Sequence, residues 1–99
     1  MNQTKIITAA SELGRNVLEH GLGGDVHIER VQRQERIGLC MTFTDSGPGI
    51  ENVNLALTDG YTSKNGLGLG LTGSKRLMDE FELTSIPGQG TTVSVTKWK

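Results

Sequence analysis

Cysteine, proline and aromatic side chains are scarce in this chain, which has one cysteine, two prolines and four aromatic rings among 99 residues. The lone Cys40 cannot close an internal disulfide, so no disulfide framework holds the fold together. Both prolines sit inside glycine turns, Gly47-Pro48-Gly49 and Pro87-Gly88, and interrupt no periodic segment. Charge of one sign is also lacking. Ten Lys+Arg against eleven Asp+Glu give a net charge of −1, which supplies neither a basic field for nucleic acid nor a polybasic patch for anionic lipid. No N-terminal segment couples a basic region to a long apolar run, so a secreted or membrane-spanning product is disfavoured and a cytoplasmic protein is expected. At this length the chain buries only about two-thirds of its unfolded surface, which leaves room for a single small domain, residues 1–99, and excludes a multi-domain machine.

Glycine, by contrast, is abundant: 14 of 99 residues, seven of them between Gly47 and Gly73. Around that segment the chain is periodic. Ile6, Ala10, Leu13 and Val17 recur at helical spacing from Asn2 to Glu19, with Gly21 placed as a left-handed C-terminal residue. Val26–Val31 and Ile37–Thr44 lean toward strands and flank the polar stretch Gln32–Arg36, predicting a hairpin with a longer loop. A short helix is expected over Glu51–Leu57. Thr58–Leu69, without periodicity, reads as a mobile loop opening into a helix from Leu71 to Phe81. A second hairpin joins Glu82–Ile86 to Thr91–Trp98 through Pro87–Gly90. The order predicts a two-layer α+β sandwich, a mixed and mostly antiparallel sheet with helices on one face.

Three stretches carry chemistry. Glu12 and Asn16, one helical turn apart, are expected to project together, away from the apolar stripe, as a base and a neutral oxygen donor; the same pair also fits solvated helix surface. Asp45-Ser46-Gly47-Pro48-Gly49 ends a strand where glycines let backbone approach a ligand and a carboxylate can accept from an exocyclic amine; a tight turn capped by Asp has the same composition. Gly66-Leu67-Gly68-Leu69-Gly70 alternates glycine with leucine before a helix, leaving N–H groups to converge on phosphate. Three phosphate motifs fail. Gly68 to Gly73 matches G-x-G-x-x-G but follows no buried strand, Ser74-Lys75 reverses the Walker order, and neither an HRD nor a DFG segment occurs.

In order, Glu12-x-x-x-Asn16, Asp45-x-Gly47-x-Gly49, Gly66-x-Gly68-x-Gly70 and Gly88-x-Gly90-Thr91 resemble the N, G1, G2 and G3 boxes of the GHKL (Bergerat-fold) ATP-binding superfamily. The resemblance runs from about Thr8 to the C-terminus. Within the superfamily it is closest to the small serine/threonine kinases of bacterial partner-switching systems, those of the RsbT type. It implies that Asn16 coordinates Mg²⁺ on the ATP phosphates and that Glu12 orients or deprotonates the attacking hydroxyl. Asp45 would read the adenine amino group with Thr91 in support, and Gly47 and Gly49 would let the base approach. Gly66, Gly68, Leu69 and Gly70 would fold over the triphosphate.

The resemblance further implies a STAS-domain antagonist protein as phosphoacceptor, followed by a phosphatase activator or sigma factor as the next partner. The other reading of the same motifs is a catalytically weak module that sequesters a sigma factor or STAS partner. The superfamily normally carries a strand and a helix ahead of the first box. The expected sheet therefore lacks that N-terminal strand, and its uncovered edge favours a homodimer, by exchange of elements.

Overall fold

A computed structural model describes residues 3–19, 22–49 and 67–99. Helix α1 (Gln3–Glu19) is followed by strands β1 (Gly24–Arg33) and β2 (Arg36–Asp45), helix α2 (Leu67–Leu77), and strands β3 (Glu80–Ile86) and β4 (Gly90–Trp98). The four strands form one sheet in the order β1-β2-β4-β3. Every pairing among the described residues is antiparallel, so the expected mixed sheet is here antiparallel throughout. Both helices belong to one layer.

The core lies between that layer and one face of the sheet. Ala9, Leu13 and Val17 of α1 are buried four residues apart, and meet Met41 and Phe43 of β2 and Val93 and Val95 of β4. Leu71 and Met78 close the cluster from the α2 side. The strand alternation puts the remaining residues of β2 and β4, among them Thr42, Thr44, Thr92 and Ser94, on the opposite face. Ala9 heads the buried stripe, although Ile6 and Ala10, read from the sequence as its members, are only partly buried.

Three sequence expectations shift. The first hairpin closes through Gln34-Glu35 alone rather than a longer loop, with Arg33 paired to Arg36 and a positive φ of 56° at Gln34. A positive φ at the first loop position is what two-residue hairpins of the primed type require. Helix α2 runs from Leu67 to Leu77, not from Leu71 to Phe81. Leu67, Gly68, Leu69 and Gly70 form its first turn, because Leu71, Ser74 and Met78 bury at helical spacing and that packing outweighs the low helix propensity of glycine. Phe81 belongs instead to β3, opposite Val95, since the Asp79 N–H already donates to the Thr96 carbonyl at 3.0 Å and draws the chain into the sheet. The expected helix over Glu51–Leu57, the loop over residues 58–66 and the cap at Gly21 lie outside the described residues. Beyond α1, Leu22 and Gly23 both hold positive φ, and the Gly23 N–H donates to the Val17 carbonyl at 2.7 Å.

Candidate functional site

The end of β2 and the start of β4 are neighbours because the register pairs Asp45 with Thr91. Asp45 uses one carboxylate oxygen, Oδ1, twice: it accepts the Gly47 N–H at 3.0 Å and the Thr91 N–H at 3.3 Å. The first bond closes a turn of the kind aspartate forms with the backbone two residues on. The second ties that turn to the other hairpin. Oδ2 accepts no hydrogen bond among the described residues. One oxygen therefore fixes the carboxylate and, among the described residues, the other is unengaged, which suits a donor such as an aromatic amine.

The two glycine turns interlock through backbone. The Gly88 N–H donates to the Pro48 carbonyl at 2.7 Å. Gly49 has φ +77°, and a Cβ there would lie 2.5 Å from the Ile86 carbonyl oxygen. Gly90 has φ +126°, and its Cβ would lie 2.1 Å from the Asp45 carbonyl oxygen. Close approach is thus the role of both residues, but what approaches Gly49 is the β3–β4 connection, not an open space kept for a base. The second and fourth sequence motifs form one rigid corner. Ser85, absent from the sequence reading, completes it: its hydroxyl donates to the Gly90 carbonyl at 3.2 Å and lies 2.9 Å from Thr91 Oγ1. Once a hairpin is centred on Pro87–Gln89, the register alone puts Ser85 opposite Thr91.

Helix α1 carries the first motif and packs against both β2 and α2. Asn16 does not project away from the buried stripe. Seven residues separate it from Ala9, a rotation of only about 20° on a helix of 3.6 residues per turn. Its side chain is accordingly half-buried, and its amide Nδ2 is enclosed without a hydrogen-bond partner among the described residues. An enclosed amide lacking a partner is the sort of group a ligand satisfies. Glu12 is half-buried on the same flank and forms an ion pair and hydrogen bond with Arg15, three residues on. Arg15 was also missed, though an acid and a base at that spacing are neighbours on any helix.

Gly68, Leu69 and Gly70 lie in the first turn of α2, where backbone N–H groups have no partner inside the helix and the helix dipole favours an anion. Gly66 lies outside the described residues. The structure joins the second and fourth motifs in direct contact, and brings the helices of the first and third together by packing. No group of three or more His, Cys, Asp or Glu able to hold a metal occurs among the described residues. A hard cation here would take one amide oxygen from Asn16, with phosphate oxygens and water filling the other positions, the arrangement Mg²⁺ tolerates best. The Asn16 atom without a partner among the described residues is the donor Nδ2, which suits a phosphate oxygen, while the cation would be held by the other amide atom, Oδ1.

Far from this corner, the other end of the sheet has its own polar lock. Trp98 donates its backbone N–H to Asp79 and its indole N–H to Glu80, both at 2.6 Å, while Arg33 and Arg36 lie over its ring. The backbone bond from Trp98 is the main cause holding the Asp79 carboxyl below its ordinary value, and the indole bond does the same for Glu80.

Comparison with known proteins gives the family. All of residues 1–99 match the family described as histidine kinase-, DNA gyrase B- and HSP90-like ATPase. The serine/threonine-protein kinase RsbT of Bacillus subtilis (strain 168) is 43% identical over 98 residues, covering 99% of this chain and 74% of that protein. An anti-sigma F factor from Oceanobacillus iheyensis is 37% identical over 101 residues, covering 95% of this chain and 68% of its own. Another from Thermoanaerobacter sp. (strain X514) is 32% identical, with coverages of 94% and 68%. Among the described residues no helix is long and apolar enough to cross a membrane.

Proposed function

The chain belongs to the histidine kinase-, DNA gyrase B- and HSP90-like ATPase family, and from that premise we propose that residues 1–99 form one ATP-binding kinase domain. Its reaction moves the γ-phosphoryl group of ATP to a serine or threonine hydroxyl on a STAS-domain antagonist protein, within a cytoplasmic bacterial partner switch. Use of ATP follows from the family. The acceptor is drawn from the likeness to the RsbT kinase, and the sigma-factor side of the switch from the anti-sigma F factors.

The observation that carries the reading is the Asp45 carboxylate, fixed through Oδ1 by two backbone N–H groups and, among the described residues, with Oδ2 unengaged. In this role Oδ2 accepts the adenine amine. The first turn of α2 supplies N–H groups to the phosphates, where negative charge develops during transfer. Mg²⁺, held by Asn16, would neutralise phosphate charge and orient the chain of phosphates. Glu12 takes the proton of the acceptor hydroxyl as its oxygen bonds to the γ-phosphorus and the bond to ADP breaks. Before that step Arg15 must yield the oxygen it occupies. A phosphatase activator or a sigma factor is then the next partner of the freed kinase.

The test is transfer of labelled γ-phosphate from ATP to a STAS-domain protein in the presence of Mg²⁺. Glu12→Gln is expected to retain nucleotide binding and lower transfer by about 10²–10⁴-fold, the usual contribution of a positioned general base. Undiminished transfer in that variant removes Glu12 from the reaction. Tight binding of the STAS protein with no transfer in the unaltered chain points instead to a sequestering module.

A further inference from the structure

Asp45, Thr91 and Ser85 form one row across three strands. The register pairs Asp45 of β2 with Thr91 of β4, and Thr91 in turn with Ser85 of β3. Two residues along each strand, and so on the same face, the next row is Phe43, Val93 and Leu83. Phe43 and Val93 belong to the apolar core and Leu83 packs against it. The polar row therefore borders the core on the face that carries the helices, and all three of its members are half-buried. Ser85 stands one strand beyond Thr91 as seen from Asp45, and the reading of the base so far gives it no part.

The direction of the protons along this row is fixed. A serine or threonine hydroxyl has one proton to give and two lone pairs to receive. Ser85 gives its proton to the Gly90 carbonyl at 3.2 Å, and a carbonyl oxygen has none to return. The 2.9 Å contact between Ser85 Oγ and Thr91 Oγ1 must then carry the proton of Thr91. Thr91 Oγ1 makes no other hydrogen bond among the described residues, so it turns only lone pairs to any further neighbour. Beside it, Asp45 Oδ2 also only accepts.

We propose that Ser85 determines base specificity: by taking the Thr91 proton it makes the corner a pair of acceptors, and so selects a 6-aminopurine nucleotide over a 6-oxopurine one. The inference rests on the reading of Asp45 as the residue that meets the adenine amine. That amine has two N–H groups, one for Asp45 Oδ2 and one for Thr91 Oγ1. A carbonyl at the same ring position brings a third acceptor to the other two, and is left unpaired. Without Ser85, the Thr91 hydroxyl rotates about its C–O bond and gives its proton to that carbonyl, which restores a hydrogen bond to the wrong base. Selectivity of this kind comes from the polar group that the wrong ligand leaves unsatisfied, rather than from a contact it merely lacks. Ser85 itself touches no nucleotide and acts through Thr91 as a positioning residue.

Threonine and valine at position 85 share a shape and a preference for strands, and differ in the hydroxyl. Calorimetric titration with ATP and with inosine triphosphate, Mg²⁺ present, is therefore run on the unaltered full chain, on Ser85→Thr and on Ser85→Val. The unaltered chain and Ser85→Thr should share one preference for ATP. In Ser85→Val that preference should narrow by about three- to tenfold, the worth of one neutral hydrogen bond. The change should come from tighter binding of inosine triphosphate, with ATP affinity held within about threefold. Ser85→Ala removes the hydroxyl without adding a methyl group and should narrow the preference equally, so the test survives a strand disturbed by the larger side chains. A hydroxyl with a structural role alone would weaken both nucleotides in parallel and leave their ratio unchanged. That result, or the unaltered ratio in both Ser85→Val and Ser85→Ala, overturns the inference about Ser85 and leaves the Asp45 reading standing. Absence of any preference for ATP in the unaltered chain overturns both.

Discussion

Gly90→Ala probes the corner on which the nucleotide site depends, and Gly88→Ala is its internal control. Both glycines have positive φ, +126° and +81°, so an added methyl group strains the backbone at either. They differ in what the methyl group meets. At Gly88 nothing lies within 4 Å, whereas at Gly90 the Asp45 carbonyl oxygen is 2.1 Å away and the Ser46 Cα 2.9 Å. The control should therefore lose only the strain of a left-handed alanine, about 1–2 kcal/mol. Gly90→Ala adds a backbone that must move, at about 1–3 kcal/mol on the scale of overpacked interiors, for a total of roughly 2–5 kcal/mol. Against about 5–15 kcal/mol for a whole domain, that is a large fraction. Because the displaced atoms belong to Asp45 and Ser46, ATP affinity should fall in Gly90→Ala and hold in Gly88→Ala. Urea midpoints with unchanged slope measure the stability difference, and fluorescence titration with a labelled ATP analogue measures the affinity. Equal losses in the two variants, in stability or in binding, refute the reasoning that β2 and β4 are locked at this point.

Other expectations follow from the core and the far end of the sheet. Leu13 is 1% exposed at the centre of the helix–sheet cluster, so Leu13→Ala should lower stability by about 2–5 kcal/mol in urea denaturation. Asp79 and Glu80 are held below their ordinary values of 3.8 and 4.5 by the two Trp98 donors. Depressed folded values mean a contribution present above the unfolded values and lost as pH falls through the folded ones. The urea midpoint should accordingly drop below about pH 4, and Asp79→Asn, which can still accept the Trp98 N–H, should flatten part of that drop.

Much of this architecture is legible in the sequence where periodicity and turn chemistry agree. Leu13 and Val17 mark the buried stripe of α1, and Pro87-Gly88 marks the second hairpin. Glycine misleads where packing decides: Gly68 and Gly70 read as loop, yet Leu71, Ser74 and Met78 bury as a helix and carry them into its first turn. Asn16 departs from expectation for a related reason, since its polarity predicts an outward face while its spacing from Ala9 turns it toward the buried stripe. The order of the four motifs points to a shared pocket, but the contact between Asp45 and Thr91 depends on a strand register that no local pattern contains. Ser85 becomes visible only after that register is known.

The most direct measurement of the central claim is calorimetric titration with ATP and with inosine triphosphate, Mg²⁺ present, on the unaltered chain and on Asp45→Asn. Inosine offers a carbonyl where adenine offers an amine, and its own donor, N1–H, lies at a different ring position, so Asp45 Oδ2 loses its donor at the place the amine occupies. The expected loss is one hydrogen bond to a charged group, about 1.5–3 kcal/mol or roughly ten- to a hundredfold in affinity, and Asp45→Asn should narrow or invert the preference. Equal affinity for the two nucleotides in the unaltered chain, or a preference unchanged in Asp45→Asn, contradicts the assignment of Asp45 as the residue that reads the base.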